Sequence, residues 1–548
     1  MKKHFADIWE IVADTVPEEI ALVHGAVRRT WREYDDRAAR LAAVFASAGF
    51  GCNSKVALYA YNSNEYLESQ FALFKCRAVA VNVNYRYLEQ ELHYILENSD
   101  AGAVVFQAGF APQITAIRPQ LPKLRLFIEI EDGSGEHLDG ALAYEEAIAG
   151  ATPMPRIERS EDDIYMLYTG GTTGYPKGVM YRMGDFCAGR FRTFDLRGLP
   201  RPRSVSDLAM LLRGLKAEGR LPRSLPACPL MHGTGLWLGS FQPLFLGARV
   251  VTMDNRHFDP HGLWKTVERE KITEITFVGD AFARPMLAAL EQARAGGRAY
   301  DVSSVNFMVS SGVMCSLEVK RGLLEFCDAT ILDAMGSTEG AMGLSIMGRD
   351  TPAYSTATFQ MNETTKVFTE DGREVVPGTG EAGMIACSGV VPLCYFKDPE
   401  KSERTFRTVN GRRYTFGGDY ARINADGTLE LLGRGNNCIN TGGEKVFPEE
   451  VEEVMKSLAD VADCLVVGVA DARFGQRIVA VTSLRGNAKA DAIALIAQAR
   501  TRLASYKLPR DVIIVPEVRR GPNGKADYQW ARTVAQPVLF SNVPANTA

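Results

Sequence analysis

The run Tyr168-Thr169-Gly170-Gly171-Thr172-Thr173-Gly174-Tyr175-Pro176-Lys177-Gly178 concentrates four glycines, three threonines and one lysine in eleven residues. Glycines let a backbone approach anionic oxygens, threonine hydroxyls donate hydrogen bonds, and lysine adds a point charge. Together they supply the chemistry that holds a polyphosphate. Thr169, Gly170, Gly171, Thr172, Thr173 and Lys177 are the candidates. This is not a Walker loop, in which Gly-Lys is followed directly by Ser or Thr, because Gly178 follows Lys177. A plain Gly/Thr surface loop is the competing reading.

The elements that must position such a loop are legible around it. Residues 164–167, branched and aromatic, predict a buried strand emptying into it. Residues 56–60, 78–83, 103–106, 274–278 and 305–309 read as further strands, and 65–76 and 89–97 as helices, which is the alternation of an α/β protein. Phe5, Ile8, Trp9, Ile11 and Val12 suit one face of an amphipathic helix. Residues 197–226, rich in arginine and proline around a short helix at 205–216, read as a surface insertion, or as a cover over a pocket. The texture changes near residue 435, so the expected domains are 1–435 and 436–535, with a fraying tail at 536–548. Beyond that boundary a helix is expected at 448–458, with Pro448 at its start and acidic residues in its first turn, and strands at 464–469 and 478–483.

Bulk properties narrow the function. The net charge of −4 lacks the basic excess of a nonspecific nucleic-acid binder. The ten cysteines are scattered without a C-x-x-C pair, which suits reduced thiols in a cytoplasmic protein. Asp7, Glu10 and Asp14 interrupt what would be a signal peptide, and no apolar run is long enough for a membrane span.

The Gly/Thr loop and five further stretches, in order along the chain, resemble the adenylate-forming superfamily of acyl-CoA synthetases, luciferases and peptide-synthetase adenylation domains. They include Ser310-Ser311-Gly312-Val313, Asp333-Ala334-Met335-Gly336-Ser337-Thr338-Glu339, the run ending in Gly417-Gly418-Asp419, Gly433-Arg434, and Gly521-Pro522-Asn523-Gly524-Lys525. The resemblance implies a large multi-subdomain adenylation domain and a small mobile α+β C-terminal domain. It implies ATP, CoA and Mg²⁺, with Glu339 as the metal ligand, Thr338 on the acyl phosphate, Asp419 on the ribose hydroxyls and Arg434 on ribose or phosphate. Lys525 would be the adenylation lysine. His232, Gly233, Gly279, Ser311, Gly312, Met335 and Gly336 would line the acyl pocket. Asn437 would be the hinge, and Thr441, Gly442, Gly443, Glu444 and Lys445 the thiol tunnel. The chain departs from the pattern at Gly170, where Ser is common, at Met335, where a stacking Tyr is usual, at Gly417, where Thr is usual, and at Asn437, where Asp or Lys is common.

Four runs, among them residues 279–285 and 442–452, look like the bacterial steroid side-chain CoA ligase branch. The expected substrate is a bulky apolar carboxylic acid, a steroid side-chain carboxylate being favoured. A medium- or long-chain fatty acid or another cyclic acid is the nearest alternative. Loading of a separate carrier protein, and non-catalytic nucleotide binding, are the others.

Overall fold

The computed structural model describes residues 3–169, 176–351, 358–441, 444–471, 475–486, 488–503, 505–521 and 524–536. The chain is a mixed α/β protein whose packing divides into two units. The first comprises Met1–Ala341, Ser345–Ala353 and Ser388–Thr415; the second comprises Met342–Leu344, Tyr354–Cys387 and Phe416–Ala548. The compositional change near residue 435 falls inside the second unit.

The first unit is built on parallel strands. Thr330–Ser337, Phe307–Ser311, Glu274–Phe277, Arg223–Pro226, Arg249–Thr252 and Ile20–His24 lie side by side in that order, with Val27–Thr30 added as an antiparallel edge. Ile275, Phe277, Met308, Val309, Ile331 and Leu332 are buried, as expected of parallel strands covered on both faces. A second parallel sheet orders Val79–Asn82, Lys55–Tyr59, Ala101–Gln107, Leu126–Ile130 and Leu142–Ala143.

The N-terminal helix, Phe5–Thr15, is a core element. Phe5, Ile8, Trp9 and Val12 are fully buried. Glu10, also buried, accepts hydrogen bonds from Lys75 and Arg159, each at 2.8 Å. Removing one member of such a network would leave a buried charge uncompensated.

Residues 197–226 are not a surface insertion. Helix Val205–Ala217 buries Leu208, Leu212 and Leu215, and Arg223–Pro226 is an interior strand pairing with Arg249–Thr252 on one side and Glu274–Phe277 on the other. The flanking prolines and arginines disguised it: Pro226 ends the strand, and Arg197 is docked on Glu274 at 2.6 Å.

A three-stranded antiparallel sheet completes the first unit, with Lys177–Arg182 between Ile164–Thr169 and Cys394–Tyr395. The strand foreseen ahead of the Gly/Thr loop is thus one arm of a hairpin.

In the second unit, Val461–Asp471 and Gly475–Leu484 form a long antiparallel pair, with Asp511–Ile514 parallel to the latter and Ile439–Thr441 and Glu444–Val446 completing the sheet. Strand side chains alternate between faces. Cys464, Val466, Ile478 and Ala480 join one core with helices Pro448–Lys456 and Ala492–Ala499, while Leu465, Val467, Val479 and Val481 join another with Tyr528–Ala535.

Candidate functional site

Open parallel sheets bind ligands beyond the carboxyl ends of their strands, and several candidates stand there. Strand Phe307–Ser311 runs out at Gly312, and Ser311 Oγ donates to Ala334 O at 2.8 Å. The turn after Gly312 is locked to the helix Gly279–Ala295. Asp280 N–H donates to Met314 O at 3.0 Å, Ser316 N–H donates to Asp280 Oδ1 at 2.8 Å, and Arg284 Nε holds Asp280 Oδ2 at 3.0 Å.

Backbone packing explains two glycines expected to make room for an acyl group. Gly279 has φ +47°, and a Cβ there would lie 2.5 Å from Val313 O. A Cβ on Gly336 would lie 2.9 Å from Gly340 O. Both positions are dictated by backbone crowding. Gly312 differs: its φ is +89°, yet a Cβ would meet only Thr234 Oγ1 and Val278 Cγ1, each at 3.6 Å.

Asp333 and Met335 are buried. The Asp333 carboxylate is held by Lys320 Nζ at 2.7 Å; burial pushes its pKa up and Lys320 pulls it back, the net direction being upward. Its side chain is therefore engaged by helix Leu317–Phe326. His232 is half-buried and leads into a π-helical segment, Thr234–Phe241, where a Cβ on Gly233 would meet the Trp237 ring at 3.0 Å. Val313 is half-buried beside Gly312.

A charged cluster is centred on Lys177 and Glu339. Thr169 and Lys177 pair across the hairpin; Gly170, Gly171, Thr172 and Thr173 lie outside the described residues. Lys177 Nζ is 2.7 Å from Asp398 Oδ2. The turn at Thr338 and Glu339 is pinned from several sides. Tyr181 Oη donates to Thr338 O at 2.7 Å, Thr415 Oγ1 donates to Glu339 O at 3.1 Å, and Glu339 N–H donates to Ser337 Oγ at 3.2 Å. Tyr395 Oη donates to the half-buried Glu339 carboxylate, on Oε1, at 2.8 Å. One fixed carboxylate suits Mg²⁺, which is usually bound by one or two carboxylates together with substrate phosphates and water.

Sequence reasoning missed Tyr395, Asp398 and Lys401. Asp398 followed by Pro399 does announce a helix start, and Asp398 caps Pro399–Thr405. Its second task, holding Lys177, spans 221 residues of sequence and leaves no local signal. The Asp398 carboxyl is held below its usual range by the Lys177 hydrogen bond, and the Lys401 ammonium is pushed down by burial and then by Lys177.

The second unit carries the remaining candidates. Asp419 is half-buried and pairs with Arg434 across two strands, with a bulge just after it between Tyr420 and Ala421. Asn437 is buried and its Oδ1 accepts from Arg532 Nη2 at 3.3 Å. Thr441 pairs with Glu444, and Lys445 with Asn440, in a short antiparallel ladder; Gly442 and Gly443 lie outside the described residues. Lys525 is exposed on a tight turn in which Gly521 N–H donates to Lys525 O at 2.8 Å. The base of that turn is clamped by Arg520, which holds both Asp463 oxygens at 2.6 and 2.7 Å.

Known proteins share this architecture. Residues 9–394 match the AMP-binding enzyme family, and residues 450–525 match the AMP-binding enzyme C-terminal domain. The 3-oxocholest-4-en-26-oate–CoA ligase of Rhodococcus rhodochrous is 39% identical over 538 residues, covering 97% of this chain and 96% of that protein. The medium-chain acyl-CoA ligase Mig of Mycobacterium avium is 40% identical over 545 residues, covering 96% of each. Among solved structures, an anthranilate CoA ligase in complex with anthranoyl-AMP superposes with a TM-score of 0.83 at 23% identity, over 98% of both chains.

Proposed function

We propose, for a chain that belongs to the AMP-binding enzyme family, that it is an ATP-dependent, AMP-forming acyl-CoA synthetase acting on a bulky apolar carboxylic acid. The observation that carries the reading is the cluster in which one short segment, residues 395–398, holds a cation, Lys177, through Asp398 and a fixed carboxylate, Glu339, through Tyr395. Such a pairing suits a polyphosphate and its counter-ion.

In the first half-reaction the substrate carboxylate attacks the α-phosphate of ATP, giving acyl-AMP and pyrophosphate. Lys177 and the preceding loop hold the phosphates, Asp419 accepts from the ribose hydroxyls, and Arg434 adds charge beside them. Glu339 would hold Mg²⁺, which neutralises phosphate charge when bound. Lys525 bridges the two anions that must meet, and an oriented cation at that point lowers the barrier electrostatically. In the second half-reaction the CoA thiol attacks the mixed anhydride and expels AMP. The segment from residue 436 rotates about Asn437 between the steps and brings Thr441, Gly442, Gly443, Glu444 and Lys445 to the thiol path; such gating lets one site run two chemistries. The ten free thiols suit a reducing, cytoplasmic setting.

The substrate class follows the relatives, one named for a cholestenoate and another for medium-chain acyl groups. CoA-dependent AMP formation measured across steroid side-chain, fatty and aromatic acids tests it. The expected order of kcat/KM is steroid acid, then medium- or long-chain fatty acid, then aromatic acid. Pyrophosphate release without any CoA-dependent product would overturn the synthetase reading, and a preference for small aromatic acids would overturn the substrate class.

A further inference from the structure

The corner at residues 394–398 reaches both charged groups of the site. Strand Cys394–Tyr395 pairs Cys394 with Met180 and Tyr395 with Val179, and Phe396 N–H donates to Gly178 O at 2.8 Å. These bonds fix the corner against the strand that Lys177 begins. Tyr395, itself buried, gives its hydroxyl to Glu339. Three residues on, Asp398 divides its oxygens: Oδ2 holds Lys177 Nζ at 2.7 Å, and Oδ1 accepts the Lys401 N–H at 3.1 Å. Ser402 closes the corner, its Oγ accepting from Tyr395 N–H at 2.9 Å and donating to Asp398 O at 2.6 Å.

We propose that Asp398 is a positioning residue that aims the Lys177 ammonium at the phosphates of ATP, with residues 394–398 acting as a gauge that sets Lys177 and Glu339 against each other. The inference rests on the synthetase reading above. Lysine is a point charge on a flexible four-carbon stem, and the freedom it loses on binding weakens its contribution. A carboxylate that restrains the stem beforehand removes part of that loss. Asp398 acts only through Lys177. Lys177 and Lys401 balance Asp398 and Glu339, and the Mg²⁺ that accompanies ATP would supply the positive excess an anion needs.

Asparagine caps helices about as well as aspartate. Asp398→Asn therefore keeps the start of Pro399–Thr405 and removes only the charge facing Lys177. The test is ATP affinity by titration calorimetry on the full chain with Mg²⁺, for wild type, Asp398→Asn, Lys177→Ala and the double variant. Asp398→Asn is expected to weaken ATP binding about tenfold with an unchanged melting temperature, and to add nothing once Lys177 is alanine, as for any residue coupled to another. Unchanged or tighter ATP binding in Asp398→Asn would overturn the assignment. So would a fully additive loss in the double variant, or an Asp398→Asn protein that melts early and so uses the charge for its scaffold. The readout is affinity, whereas the synthetase reading is judged on turnover with the acid panel, so either can fail without the other.

Discussion

Lys525 stands on a turn whose base is clamped by Arg520 and Asp463, so truncating its side chain leaves the scaffold intact. Lys525→Ala is expected to slow acyl-AMP formation on the order of a hundredfold or more, the scale of losing a transition-state charge contact. Thioester formation from supplied acyl-AMP should be spared, and an equal loss in both half-reactions would refute the division of roles. Gly312 offers a second test at this scale. It has room for a Cβ but sits at φ +89°, where a left-handed L-residue costs roughly 1–2 kcal/mol. Gly312→Ala should therefore fold with a small loss of stability and lower kcat/KM for a steroid acid more than for a short-chain acid. A parallel fall for both acids would assign Gly312 to backbone conformation alone. No such selectivity is expected from Gly279→Ala, because its Cβ would collide with backbone and every substrate should suffer alike.

The strand ends beneath the site depend on one buried ion pair. Lys320, from helix Leu317–Phe326, meets Asp333, from strand Thr330–Ser337, and both are nearly inaccessible to water. Buried pairs add little over a well-packed apolar replacement, but breaking one strands a charge at a cost of roughly 3–5 kcal/mol. Lys320→Met is expected to destabilise by about that amount, read as a shift of the denaturant midpoint, and pairing it with Asp333→Leu should restore much of the loss. Equal midpoints for single and double variants would show that packing, not charge, sets the cost. Other elements show how local pattern and global role diverge. Strands were readable at 464–469 and 478–483, whereas Arg223–Pro226 is an interior strand in a stretch whose prolines and arginines suggested a loop.

For the chain as a whole, the proposed two-step cycle places a pivot at Asn437, in the short 3₁₀ turn Gly435–Asn437. Asn437→Pro would fix φ there. Acyl-AMP formation is expected to continue while the CoA step slows at least tenfold, measured as separate half-reactions. An unchanged CoA step would show that no rotation about this residue is needed. The pivot is engaged by Arg532 from helix Tyr528–Ala535, so Arg532→Ala is expected to alter the CoA step and not adenylation.

The order of short glycine-, threonine- and carboxylate-bearing runs was readable without coordinates, and so was the α/β class. Loop chemistry is written in the residues that perform it, and periods of two and of about 3.6 residues mark which faces must be buried. Thr169 and Lys177 could be named as candidates from that chemistry, and Thr338, Glu339, Asp419 and Lys525 from the resemblance of their runs to a known family. What Lys177 is paired with, why Gly279 must be glycine, and that Asp333 faces Lys320 were decided only by the tertiary structure. Those facts depend on segments far apart in the chain, and their juxtaposition is set by packing the sheet and its helices around a common core, which leaves no trace at any one position.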